Sequence, residues 1–333
     1  MFRKIKNIAI GFFRILKDAA LNFNTNNDMK YSAALSYYTI FSIAPMLLLA
    51  ISVGSLVFGR SAIEGHLFDQ IKGLVGVEAS LYIQDMITKI SLERNSWLAT
   101  WIGIGTLVFG ATRVFGEIQS TINMIWGLKA RPNKGIISYI FNRVLSFAMV
   151  LSIGFLLMVS LIASTVIAIM SDKLDDIIPE THSLMVLVSS GVGILIISLM
   201  FTLIFRYLPD SVVKWKDAFI GSLFTSVLFL IGKYVIGMYL ATSASASAFG
   251  AAGSLIILLL WVYYSSILLY FGAEFTKSYA IYRGGGISPN KFSIRVEIKE
   301  IVVEPDDADV EEGEISESSL EGDIPDKKDE LRD

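Results

Sequence analysis

Charged residues are spaced so that six long stretches of the chain are almost free of Asp, Glu, Lys and Arg. They run from Tyr31 to Phe58, Ser96 to Thr112, Val144 to Met170, Ser183 to Phe205, Ala218 to Leu240 and Ser254 to Ala273. A bilayer core of about 30 Å takes about 20 apolar residues in a helix, so each is a candidate span. Only the fifth is interrupted, by Lys233. The second is the shortest, and its helix is expected to continue through Arg113 and Glu117 toward Trp126, with the charges reaching the interface. The pattern predicts an all-α integral membrane protein, a six-transmembrane-helix bundle spanning residues 31–283.

The flanks follow other patterns. Within residues 1–30, Phe2, Ile5, Ile8, Phe12, Ile15 and Leu16 recur at helical spacing, with Arg3, Lys4, Arg14 and Lys17 largely elsewhere on the wheel. This N-terminal amphipathic helix either lies on the inner leaflet or docks against the bundle. Asparagines from Asn22 to Asn27 end it, and Asp28 is expected to cap the first span. The loop from Arg60 to Asn95 reads as one or two amphipathic helices near the outer face, and the acidic turn from Asp172 to Glu180 as solvated. Gly284 to Gly286 and Pro289 close the membrane domain. Residues 284–333 form a cytoplasmic tail in which 293–303 alternates as a strand, needing a partner strand or else staying disordered. From Glu304 to Asp333, fourteen acids against three bases and no aromatic predict a disordered acidic segment.

Composition sharpens this. Of 333 residues, 53% are hydrophobic and 18% charged, displaced from soluble norms toward lipid. The absence of cysteine excludes disulfides, cysteine nucleophiles and thiolate metal ligands. Two histidines, His66 and His182, leave no metal cluster to build, so no cofactor or metal is expected. Loops on the N-terminal side hold fourteen Lys and Arg against five on the other, which places both termini in the cytoplasm. Trp97, Trp101, Trp126 and Trp215 fall at predicted boundaries, and Trp261 mid-span. The first apolar run is too long for a signal-peptide core and starts after thirty residues, so it reads as an uncleaved helix. The net charge of −3 is a cancellation between +8 over residues 1–303 and −11 over the rest.

Several strings are recognisable at this point: AALSYYTIFSIAPMLLL (Ala33 to Leu49), INMIWG around Trp126, RYLPD with WKDA (Arg206 to Ala218), AFGAAGSLIILLLWVYYS (Ala248 to Ser265) and FGAEFTKSYA (Phe271 to Ala280). In order and spacing they resemble the YihY/BrkB family of bacterial inner-membrane proteins, from about Lys30 to Arg283. The resemblance implies a multi-pass protein of the bacterial cytoplasmic membrane. It carries no agreed catalytic motif, and family labels include ribonuclease, serum-resistance factor and envelope transporter. Ribonuclease activity is rejected on the residues: no metal-ligand cluster occurs, and the basic residues form no aromatic-interleaved patch for RNA. No nucleic-acid partner is expected. Gly232-Lys233 lacks the preceding glycine and the following Ser or Thr of a phosphate loop.

Candidate chemistry therefore lies on a substrate path or gate. Pro45 removes a backbone hydrogen bond inside a run of about 42 Å, so a kink is expected near Phe41 to Ala44, either for helix packing or to expose backbone dipoles. Tyr37, Tyr38, Tyr263 and Tyr264 need hydroxyl partners within the spans, from neighbouring helices or a cavity. Lys233 stands about 22 Å into its span, where it either snorkels outward or faces an aqueous cavity suited to an anion. Arg113, Glu117, Arg206, Glu274 and Lys277 share a depth, as separate interfacial charges or as an ion-pair cluster closing the cytoplasmic end. Glu274 is the strongest individual candidate. The small residues of 241–253 read as close helix packing or a re-entrant lining.

The sequence thus points to a non-enzymatic transporter or flippase-like protein for an amphipathic or anionic envelope component. The competing expectation is a membrane scaffold recruiting cytoplasmic partners, or further copies of itself, through its tail.

Overall fold

The computed structural model describes residues 2–58, 113–131, 181–242 and 251–297, together with residues 68, 80, 81, 83–85 and 110 and scattered helical positions between 144 and 167. The second predicted span, apart from Gly110, lies outside the described residues. So do most of the 60–95 loop, the 171–180 turn, the stretch 243–250 and everything after 297. The third predicted span is described only in fragments.

Helix α1 (Phe2–Thr25) leads through an Asn26-Asn27 turn into α2 (Asp28–Phe58). Asn27 takes a φ of 57°, a left-handed conformation that asparagine tolerates better than most residues. Helical residues 113–125, here α3, precede strand β1 (Leu128–Ala130). Then come α4 (Thr181–Tyr207), β2 (Ser211–Val212), α5 (Trp215–Thr242), α6 (Ala251–Tyr282), β3 (Ser288–Pro289) and β4 (Ser293–Arg295). The chain is a mostly helical membrane protein. Among the described residues, three stretches are long and apolar enough to cross a bilayer: Leu187–Tyr207, Trp215–Ile236 and Leu255–Tyr282. Leu187, Val235, Met238 and Ile256 on these helices are exposed, as side chains solvated by lipid rather than by a core are.

Helix α6 is the centre of the packing, touching α1, α2 and α5, while α5 also packs on α4. The α5–α6 contact is reciprocal: Gly221 lies against Thr276, and Thr225 lies against Gly272. Each glycine is four residues from the threonine on its own helix, so two small-residue stripes interlock where the helices cross. The threonine hydroxyls are satisfied within their helices, Thr225 to the Gly221 carbonyl at 2.8 Å and Thr276 to the Gly272 carbonyl at 2.7 Å. Beside this contact, Phe224 and Phe275 stack with ring centroids 3.8 Å apart. Trp261 is buried against Phe229 in a smaller cluster along the same pair of helices.

Two short antiparallel pairings tie down one end of the bundle, here called the basal end. β1 pairs with β4, Lys129 opposite Ile294, and β2 pairs with β3. The partner that the 293–303 strand pattern requires is therefore Leu128–Ala130, although only Ser293–Arg295 is strand and residues 298–303 lie outside the described residues.

Candidate functional site

The basal end holds a buried polar cluster built around α6. Residues Tyr270, Glu274 and Lys277 recur at helical spacing, so all three project from one side of α6. Tyr270 and Glu274 are both completely buried. The Asn26 side-chain amide donates to Glu274 Oε1 at 2.5 Å, which fixes the α1–α2 turn to α6. Lys277 Nζ stands 3.8 Å from Glu274 Oε2 and donates to the Ile125 carbonyl at 2.6 Å. That carbonyl belongs to the last turn of α3, where no intrahelical donor remains, so a lysine there satisfies it and suits the helix dipole. One residue on, the Trp126 indole donates to the Ala273 carbonyl at 3.1 Å. Gly127, at a φ of 68°, turns the chain into β1, and its carbonyl accepts from Val296 at 2.8 Å.

Asp28 completes the cluster. Its side chain is fully buried, and neither carboxylate oxygen has a hydrogen-bond partner. The expected cap of the first span is thus not formed by Asp28: a side chain turned into the interior cannot reach the amides of its own first turn. Burial, and after it the neighbouring Glu274 charge, push the Asp28 carboxyl up from 3.8 to about 8, with Lys277 opposing. Glu274 Oε2 and the Tyr270 hydroxyl also lack hydrogen-bond partners. Glu117 and Asp28 both lie within electrostatic range of Tyr270.

A second network braces the same end. The Asp210 amide donates to Asn123 Oδ1 at 2.8 Å, and Asn123 Nδ2 returns a bond to Asp210 Oδ2 at 2.9 Å. The Ser293 hydroxyl and the Asn290 amide both donate to the Asp210 carbonyl. Burial raises the Asp210 carboxyl, and the hydrogen bond from Asn123 pulls it back. These contacts cross-link the INMIWG, RYLPD and post-α6 segments, a structural role.

The other predicted site residues are dispersed. Arg206 bonds the Val213 carbonyl and lies over the Trp215 ring at 4.8 Å, so it braces the α4–α5 loop, while the partners of Glu274 are Asn26, Asn22 and Lys277. Arg113 lies 5.9 Å over the Tyr38 ring, one helical turn from half-buried Glu117. Tyr37 is 58% exposed and packs edge-on against Tyr38 and Phe41. α2 runs through Pro45 as one helical element. Lys233, Tyr263 and Tyr264 are half-buried, with Gly232 against the Tyr264 hydroxyl. Among the described residues, no three His, Asp or Glu side chains gather as a metal site.

Asn26 and Asp28 are the functional candidates that sequence reasoning missed. Their polarity reads as a turn and a cap, and nothing local marks them as interior. Trp126, in the loop that flanks the second predicted span, is buried, with its N–H donating to the Ala273 carbonyl.

Comparison with known proteins identifies a family and several relatives. The family described as Virulence factor BrkB matches residues 19–292. A UPF0761 membrane protein of Pseudomonas paraeruginosa is 28% identical over 275 residues, covering 80% of this chain and 62% of that protein. One from Azotobacter vinelandii is 28% identical over 274 residues, with the same coverage of 80% and 62%. One from Mannheimia succiniciproducens is 28% identical over 261 residues, covering 76% of this chain and 85% of its own length. The chain thus spans less than two thirds of the Pseudomonas relative. No solved structure matches it.

Proposed function

The chain belongs to the Virulence factor BrkB family of membrane proteins, and we propose that it is a transporter or flippase-like protein that moves an amphipathic or anionic envelope component across the bacterial inner membrane. In this reading six helices cross the bilayer, both termini are cytoplasmic, and the basal end faces the cytoplasm. The Lys and Arg imbalance between alternate loops supports that orientation.

The observation that carries the reading is the Asp28, Glu274 and Lys277 cluster. Ionisable side chains buried in a membrane protein are costly, and one that serves only as a scaffold gains nothing from keeping carboxylate oxygens unpartnered. Such groups suit a protein that exchanges ions or changes conformation. Lys233, half-buried within α5, supplies a cation on the outer part of the path for an anionic headgroup. In this reading transport is either facilitated or driven by an ion or proton gradient, as the notable phosphate-loop candidate, Gly232-Lys233, lacks the residues of a nucleotide-binding loop.

The α1 face turned away from α6 carries Ile10, Phe13 and Leu21 together with Lys6, Arg14 and Lys17, all exposed. That mixture suits the headgroup layer of the anionic inner leaflet.

The test is translocation of a fluorescent anionic lipid in proteoliposomes of the purified protein. The expected result is a rate well above empty vesicles that falls at least about tenfold in Glu274→Gln, a loss of about 1.4 kcal/mol of barrier lowering. Rates equal to empty vesicles for folded wild-type protein favour the scaffold instead.

A further inference from the structure

We infer that Asp28 and Glu274 together form a binding site for a single exchangeable proton, shared between the α1–α2 junction and α6. The inference deepens the transport reading, on which the role of that proton in coupling rests, but the site itself stands on its own geometry.

Three carboxylate oxygens, Asp28 Oδ1 and Oδ2 and Glu274 Oε2, are buried with no donor. The fourth, Glu274 Oε1, is held by Asn26. Unpaired acceptors at complete burial are among the most expensive features a fold can carry. One proton removes most of that cost: protonated Asp28 becomes a donor beside a carboxylate that still lacks one. Charge counting selects the same stoichiometry. Asp28 and Glu274 ionised, with Lys277 protonated, leave one net negative charge, which a single proton neutralises and a divalent cation over-compensates. Among the described residues, the charged or titratable neighbours of the pair are Lys277 and Tyr270 from α6 and Glu117 from α3, while α1 and its turn contribute neutral Asn22 and Asn26. Lys277 is anchored to the Ile125 carbonyl with Nζ 3.8 Å from Glu274 Oε2, so its charge, with the Asn26 hydrogen bond, opposes the rise that burial imposes on Glu274, whereas Asp28 has no hydrogen-bond donor at all. Burial raises the Asp28 carboxyl to about 8, which puts its exchange within a physiological range.

The position gives the proton leverage. Asp28 begins α2 and Asn26 begins the turn that follows α1, while Glu274 lies on α6, against which both helices pack. Loss of the proton leaves two like charges facing across the α2–α6 contact, and that repulsion favours separation of the two helices.

Infrared difference spectroscopy of the full chain in nanodiscs, titrated from about pH 5 to about pH 10, reads the proton directly as a carboxylic C=O stretch. The expected result is one band that disappears with a midpoint near 8. The band is absent in Asp28→Asn, and in Glu274→Gln it persists with a lower midpoint, because the neighbouring negative charge is gone. Wild-type protein with no titrating carboxyl band overturns the proposal without needing any variant to fold. So does a band that survives Asp28→Asn, or one displaced at fixed pH by sodium, which marks a metal-cation site. Since no transported substrate enters this measurement, its outcome is independent of whether the protein translocates lipid.

Discussion

Asn26 and Glu274, 248 residues apart in sequence, are joined by a 2.5 Å hydrogen bond that ties the α1–α2 turn to the middle of the α6 polar face. Replacing Asn26 with Ala leaves a fully buried carboxylate with one donor fewer. The expected loss is about 1–3 kcal/mol of stability, at the upper end because the acceptor is charged. Thermal unfolding of the detergent-solubilised protein measures it, and Asn26→Ser, which keeps a donor, should lose less.

The interlocked glycine and threonine stripes of α5 and α6 make a second prediction. A methyl group at Gly221 meets the Thr276 side chain at less than contact distance. Gly221→Ala is expected to cost about 1–3 kcal/mol through overpacking, and Thr276→Ala in the same chain to recover part of it. Equal stability of Gly221→Ala and wild type contradicts the close approach.

Stability should also depend on pH in a defined direction. Asp28 titrates near 3.8 in an unfolded chain and near 8 in the fold. Between those values the folded state holds the extra proton, so the contribution of Asp28 to stability is full below about 4, falls as pH rises, and is gone above about 8. Asp28→Asn should flatten that slope. Unfolding midpoints at a series of pH values, wild type against variant, give the comparison.

Much of the fold is legible in the sequence because hydrophobic run length and bilayer thickness are the same kind of quantity. The runs starting at Ser183, Ala218 and Ser254 coincide with helices long enough to cross a membrane. The strand pattern at 293–295 is equally readable, but its partner is not: Leu128–Ala130 is three residues long, too short for an apolar–polar alternation to stand out from its surroundings. The site is legible only in part. Glu274 stands out because a charge beside an apolar run is conspicuous. Asp28 does not, since an aspartate after four asparagines reads as a cap, and only the packing of α1 and α2 on α6 encloses it. Arg206 misleads in the opposite way. Its depth matches Glu274, yet its guanidinium is claimed locally by Val213 and Trp215.

The exposed face of α1 predicts a lipid contact. With no native cysteine, a spin label at Ile10→Cys is unique in the chain. In vesicles containing anionic lipid it should meet lipid-soluble oxygen more readily than an aqueous relaxant. Changing Lys6, Arg14 and Lys17 to Gln should weaken that preference, each removing about 1 kcal/mol of attraction. A label equally accessible to water in both proteins contradicts the docking.

The most direct test of the central claim is the gradient dependence of anionic-lipid translocation in proteoliposomes. The wild-type rate should rise when a proton gradient is imposed, while Asp28→Asn with Glu274→Gln should translocate at a rate indifferent to the gradient. An unchanged gradient response in that double variant contradicts the assignment of Asp28 and Glu274 as the coupling site.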